Sequence, residues 1–192
     1  MSILTGHAIH EALRAGDLEI DPFAPANLNP NSYNLTLGTK LTVYLADRVR
    51  LEELSPHRPI PPAELDCRRQ PVSDSFDIPG EGFVIFPGKL YLASTVERTA
   101  SDKFIPMLEG RSSLARLGIS VHQTGGFGDI GFRGQWTLEI TCVEPVRIYS
   151  GIKVCQIQFW VPFGEVDRLY RGKYLDQHEP QPSLLAREIP GD

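Results

Sequence analysis

The chain has no run of about 18 apolar residues, so no helix in it is expected to span a membrane. Its start, MSILTGHAIHEALRAGD, lacks the basic segment and apolar block of a secretory signal. Cysteine is scarce. Cys67, Cys142 and Cys155 are an odd number with no CxxC pair. That argues against a disulfide framework and fits a reducing, cytoplasmic setting. Basic charge is not in excess: 19 Lys and Arg face 24 Asp and Glu, a net charge of −5. Long duplex nucleic acid is therefore disfavoured as a partner. There is no internal repeat and no low-complexity tract.

What is present is turn chemistry and strand alternation. The 192 residues fit one domain, 1–192, large enough to bury a core. Gly (17) and Pro (16) make up about 17% of the chain, above the usual share. One helix is expected near the start. Thr5 is a candidate N-cap, Ala8, Ile9, Ala12 and Leu13 form an apolar stripe, and Gly16 is a stop. The period then changes to two. Tyr33, Leu35 and Leu37 alternate with polar residues, Gly38-Thr39 offers a turn, and Leu41, Val43 and Leu45 alternate again, which reads as a hairpin. Residues 46–79, rich in charge and proline, read as a long surface loop inserted in the domain, with at most a short strand.

Strand signals return at Gly82–Phe86, Leu90–Thr95 and Phe104–Leu108, with Pro87-Gly88 as a turn. Ser112–Leu117 reads as a single helical turn. Trp136, Leu138, Ile140 and Cys142 alternate, and Val146 and Ile148 follow. A phase change at Val154-Cys155 predicts a β-bulge or a strand buried on both faces. Residues 170–192 carry no period and read either as a frayed tail or as a segment that orders on a ligand. The sum is a mainly β chain closed as a jelly-roll or related barrel, with a short N-terminal helix.

Candidate chemistry concentrates in EGRSSLARLGISVHQTGGFGDIGFRGQWTLE, residues 109–139. In Arg111-Ser112-Ser113-Leu114-Ala115-Arg116, a tight turn would aim backbone N–H groups, two hydroxyls and two guanidinium groups at one anion. The alternative is two surface arginines around an N-cap serine. Glu139 shares a strand face with Thr137. It is either a solvent-facing carboxylate or a general base at a pocket floor, where burial would raise its pKa. Asp129, among Gly126, Gly128 and Gly131, is a turn former or a ligand contact. Phe132 packs in the core or stacks on a sugar or base. Cys142 and Cys155 fit core thiols. None of the five histidines stands at ligand spacing, and HxE…PCxxC is absent, so zinc-dependent deamination has no ligands here. No GxSxG element occurs.

In order along the chain, several segments together resemble the dCTP deaminase family of the dUTPase-like superfamily. They are Asn29–Gly38, Pro87–Leu92, MLEGRSSLARLG from Met107, Gly128–Phe132, Thr137–Glu139, Gln156 and Gly172-Lys173-Tyr174. The resemblance implies a dUTPase-like distorted jelly roll, and a homotrimer with active sites between neighbours. It implies hydrolytic deamination of dCTP to dUTP and ammonia, a C–N hydrolase reaction of pyrimidine deoxynucleotide synthesis. The metal would be Mg²⁺ carried by the triphosphate, with no zinc and no protein-held metal. Glu139 would be the catalytic base, aided by Ser112 and Arg116. Nucleotide contacts would come from Arg111, Ser112, Ser113, Leu114, Ala115, Arg116, Asp129, Phe132, Thr137, Leu138, Glu139, Gln156, Tyr170, Lys173 and Gln177. Residues 170–192 would close over the phosphates, and dTTP feedback inhibition is a further expectation.

Two departures modify this. Many members carry Ala where this chain has Gly125, and some carry His-Arg where it has Gly126-Phe127. A small residue followed by an aromatic is similar to the bifunctional members that form dUMP and pyrophosphate, the second reading. A catalytically silent nucleotide-sensing module is the third. The chain ends QPSLLAREIPGD, without a glycine-rich phosphate motif, so a pure dUTPase is disfavoured.

Overall fold

A computed structural model describes residues 2–45 and 65–189. The first helix, α1 (Gly6–Ala15), forms where the stripe predicts. The Thr5 hydroxyl accepts from Ala8 N at 3.2 Å, and Gly16 ends the helix with φ of 76°. Ile9 and Ala12 are buried on its inner face.

The remaining elements are almost all strands. They are β1 (Ser2–Ile3), β2 (Glu19–Asp21), β3 (Tyr33–Tyr44), β4 (Ser73–Asp77), β5 (Phe83–Ile85), β6 (Tyr91–Ala100), β7 (Ile105–Gly110), β8 (Ile119–Ser120), β9 (Arg133–Cys142), β10 (Val146–Ile148) and β11 (Lys153–Val161). A four-residue helix, α2 (Ser112–Ala115), follows β7. Nine strands make one sheet in the order β1-β11-β3-β6-β9-β8, with β2 on β6, β4 on β3 and β7 on β11. Strands β5 and β10 form a separate antiparallel pair. One continuous buried cluster fills the interior, including Leu35, Leu37, Leu41, Leu138, Ile140, Ile157 and Phe159. Each such side chain contributes about 1.5–3 kcal/mol through burial. Cys142 and Cys155 lie in it, and burial pushes the Cys155 thiol far up.

Three expectations need correction. The hairpin around Gly38-Thr39 is instead one twelve-residue strand, β3. Its register against β6 shifts between Leu37 and Leu41. Here the chain bends, and a Cβ on Gly38 would lie 2.9 Å from the backbone oxygen of Ser94. Gly38→Ala is therefore expected to cost about 1–3 kcal/mol, read as a Tm lower by several degrees. Pro87-Gly88 does turn the chain, with Gly88 at φ of 73°. The flanking strands β5 and β6 nevertheless pair elsewhere, β5 with β10 and β6 with β3 and β9. Of the 46–79 loop, residues 46–64 lie outside the described residues, while Ser73–Asp77 pairs along β3 as β4.

The third correction concerns the frayed-tail alternative for the C-terminal segment. Residues 170–189 are not frayed, because the chain's own bonds hold them along the sheet. Gln135 N donates to Gln177 O at 3.0 Å, and Asp176 N donates to Arg133 O at 2.7 Å. Gln181 N donates to Thr137 Oγ1 at 3.1 Å, and Ser183 N to Tyr44 Oη at 3.1 Å. Ion pairs Arg133–Asp176, Lys40–Glu179 and Lys173–Glu188 flank these bonds. The segment thus lies along β9 and the end of β3. The phase change on β11 is a register shift between Lys153 and Cys155, as predicted.

Candidate active site

The strap of residues 170–183 and the outer face of β9 enclose a cleft of about 500 Å³. Strict alternation along β9 builds its floor. Trp136, Leu138 and Ile140 turn into the core, while Thr137 and Glu139 face the cleft, each half-buried. Leu92 of β6, paired with Glu139, completes the floor.

Aromatic rings form the walls. Phe132 packs against Trp136 with centroids 4.4 Å apart and against Tyr170 at 6.0 Å. Trp136 is fixed at both ends: its backbone N–H donates to Thr95 Oγ1 at 3.0 Å, and its Nε1 to Thr99 Oγ1 at 2.9 Å. Phe132 is thus both a core residue and a cleft wall. The loop 125–129 supplies another side. Two of its glycines serve close approach to protein atoms: a Cβ on Gly128 would sit 2.5 Å from Trp136 Cη2, and one on Gly126 would sit 2.7 Å from Leu108 O. Asp129 is exposed at the rim, where it also borders a second cleft beside the 162–172 segment.

Glu139 is the cleft's central acid. Its Oε2 accepts from Gln123 N at 3.3 Å. Burial raises its carboxyl above the usual Glu range, and the Gln123 N–H and His122 charge pull it only partly back. A carboxylate held above its ordinary pKa on the floor of an apolar-walled cleft is suited to taking and returning a proton. His122 Nδ1 beside it is buried and has no hydrogen-bond partner among the described residues.

Of the residues singled out in the sequence, Asp129, Phe132, Thr137, Glu139, Tyr170 and Gln177 line this cleft together. The Arg111–Arg116 turn does not. Arg111 itself is the N-cap of α2, so the picture of an N-cap serine does not hold. Ser112, Ser113, Ala115 and Arg116 are exposed, Leu114 packs against the core, and Arg111 Nη1 donates to Lys153 O at 2.9 Å. Leu138 is wholly buried and turns its side chain away from the cleft. Gln156 is bonded within the chain. Its Nε2 donates to Gly110 O at 3.1 Å and its Oε1 accepts from Ser32 Oγ at 2.9 Å. That amide steadies the residue just before Arg111. Lys173 pairs with Glu188 and lies 5.2 Å from the Tyr174 ring centroid, off the cleft lining.

Sequence reasoning missed Tyr44, Leu90, Tyr174, Gln181 and Ser183 in the lining. Tyr44 and Tyr174 use their hydroxyls to accept from Ser183 N and Leu184 N, anchoring the strap. Tyr174 and Leu90 do stand in the Gly172-Lys173-Tyr174 and Pro87–Leu92 segments of the resemblance, while nothing in the sequence marked Tyr44, Gln181 or Ser183.

A family model described as dCTP deaminase-like matches residues 3–161. A protein of Clostridium acetobutylicum named dCTP deaminase, dUMP-forming, is 46% identical over 187 residues, covering 97% of this chain and 98% of that one. A protein of Rhodopirellula baltica named dCTP deaminase is 44% identical over 187 residues, covering 97% and 86%. Among solved structures, 2′-deoxycytidine 5′-triphosphate deaminase from Agrobacterium tumefaciens aligns with a TM-score of 0.61 at 21% identity. That alignment covers 83% of this chain, which spans 48% of the solved chain. At that identity the likeness shows the fold.

Proposed function

Since the chain belongs to the dCTP deaminase-like family, we propose that it deaminates dCTP and carries the uridine nucleotide on to dUMP and pyrophosphate. The observation that carries this is Glu139, an acid with a raised pKa on the floor of a nucleoside-sized, aromatic-walled cleft. The dUMP-forming half rests on Gly126-Phe127 and on the name of the Clostridium relative. Release of dUTP, ranked first from the sequence, becomes the second reading.

In the first step Glu139 takes a proton from water, whose oxygen attacks C4 of the cytosine ring. The C4=N3 π pair moves onto N3 as the oxygen adds, leaving a tetrahedral C4 that bears a hydroxyl and the amine. Glu139 returns the proton to the amine, the N3 pair re-forms the ring double bond as the exocyclic C4–N bond breaks and ammonia leaves, and the remaining hydroxyl proton passes to N3 to give the uracil ring. Phe132 and Trp136 hold the sugar and base, and Asp129 accepts from the 3′-hydroxyl. The Mg²⁺–triphosphate is part of the substrate. In the second step water attacks the α-phosphorus and pyrophosphate departs. Ser112, Ser113, Arg111 and Arg116 serve this site from a neighbouring subunit of a homotrimer. The exposure of Ser112, Ser113 and Arg116, and their absence from the lining of their own cleft, support that arrangement.

Chromatography after incubation with dCTP and Mg²⁺ tests the proposal. Ammonia, dUMP and pyrophosphate in equal amounts are expected. Accumulating dUTP without pyrophosphate removes the second step, and absence of ammonia removes the first.

The base must be ionised to act. As pH falls through the raised pKa of Glu139, the carboxylate takes up a proton and activity is lost. The acid limb of kcat/KM is therefore expected above the ordinary Glu value of about 4.3. A limb at or below that value would contradict the role.

A further inference from the structure

Tyr170, Tyr174 and Gln177 all come to the cleft from the strap, so its course decides where they stand. Two glycines lie against that course. Gly131 stands two residues before β9, and Gly134 is the second residue of β9. Their φ values are 89° and 145°, a range that residues with side chains rarely adopt. A Cβ on Gly131 would lie 2.7 Å from Leu169 Cβ and 2.9 Å from Tyr170 N. A Cβ on Gly134 would lie 2.9 Å from Gln177 O and 3.0 Å from Gln177 N. The three atoms nearest that second position all belong to Gln177, and none to β6 across the sheet. Glycine inside a strand weakens it, so the sheet itself gains nothing from Gly134.

Hydrogen bonds mark the same two points. Tyr170 N donates to Ile130 O at 2.8 Å beside the first glycine. Beside the second, the backbone bonds of Asp176 and Gln135 are joined by Gln177 Nε2, which donates to Gln135 O at 2.8 Å. Asp176 and Glu179, on either side of Gln177, sit at φ of 58° and 59°. Such conformations are costly for residues with side chains and persist where the surroundings impose them. Between the two points runs the stretch that carries Tyr170, Tyr174 and Gln177.

We propose that Gly131 and Gly134 are positioning residues, a two-point seat that fixes the course of the strap and so holds Tyr170, Tyr174 and Gln177 against the bound nucleotide. The inference rests on the deaminase reading and goes beyond it. It assigns retention of the nucleotide, as distinct from the chemistry, to two residues that are outside the cleft lining. Filling the seat lifts the strap and leaves Glu139 on its strand.

Gly134→Ala is expected to raise KM for dCTP at least about tenfold with kcat changed less than about threefold, the pattern of binding lost without chemistry. In the nucleotide-free protein, hydrogen exchange at the Asp176, Gln181 and Ser183 amides should quicken at least about tenfold, while Leu138 and Ile140 within β9 keep their protection. Gly131→Ala should repeat both effects. Gly151→Ala is the control, because Gly151 also has a positive φ, 80°, with open space around it. It should lower Tm yet leave KM and strap exchange as in the parent, which separates the seat from backbone strain. Protection lost along β9 with the strap intact, or an unchanged KM, would overturn the proposal. Where Gly134→Ala fails to fold, Gln135→Ala decides by the same readouts. It removes the side-chain amide that accepts from Glu179 N at 2.7 Å and leaves both glycines in place. The exchange measurement needs no turnover. A parent that releases no ammonia would end the deaminase reading, whereas strap exchange unchanged in both glycine variants would end the seat.

Discussion

Replacing Glu139 by glutamine is expected to lower dCTP turnover by about 10²–10⁴-fold, the usual worth of a positioned acid–base group. The amide keeps the shape of the side chain but cannot take a proton from water. Nucleotide affinity should stay near that of the parent, because the aromatic walls and the strap are untouched. Stability should move the other way. The folded carboxyl binds its proton more tightly than the unfolded one, since burial raises its pKa. Holding it ionised at neutral pH therefore costs stability, and the cost appears as pH rises from the ordinary Glu range through the raised pKa. Glu139→Gln removes a half-buried charge, so its Tm at neutral pH is expected at or above that of the parent. Loss of activity with a higher Tm marks a residue kept for chemistry. Parent-like turnover, measured as ammonia release, would take Glu139 out of the mechanism.

The second large effect concerns where the Arg111–Arg116 turn, proposed to bind the nucleotide, acts. Removing one donor that stabilises the tetrahedral intermediate costs on the order of 10²–10³ in kcat. Ser112→Ala and Arg116→Ala are each expected to show a loss of that size. Neither residue lines the cleft that holds Glu139 in the same chain. If the turn serves a neighbour's cleft, two dead variants can repair each other. Subunits of Glu139→Gln mixed with subunits of Arg116→Ala would build some sites with an intact acid and an intact turn. Ammonia release should then return to a substantial fraction of the parent rate after unfolding and refolding the mixture together. Native mass spectrometry verifies that mixed trimers formed. Mixed trimers without recovered activity would place both parts of the site in one chain.

Much of this was legible locally. Thr5 and Gly16 announce a helix start and stop through their own hydrogen bonding and backbone freedom, which need no distant partner. The β9 alternation likewise turns Thr137 and Glu139 to one face by pleat geometry alone. Gly38-Thr39 misled because a bulge and a turn look alike until the opposing strand is known. What demands the glycine is the Ser94 backbone oxygen on β6. The strap was invisible for a related reason. Its residues are held by single side-chain and backbone bonds to β3 and β9, which leave no period in the sequence. Gln156 shows a further limit: only the resemblance singles it out, and the bonds its amide makes to Ser32 and Gly110 leave no pattern in the sequence.

The most direct measurement is a crystal structure of Glu139→Gln with dCTP and Mg²⁺. C4 of the cytosine should lie within one water's reach of residue 139, the sugar against Phe132, and the triphosphate on the Arg111–Arg116 turn of the adjacent subunit. A cytosine ring bound elsewhere, with residue 139 facing bulk solvent, would contradict the mechanism at its root.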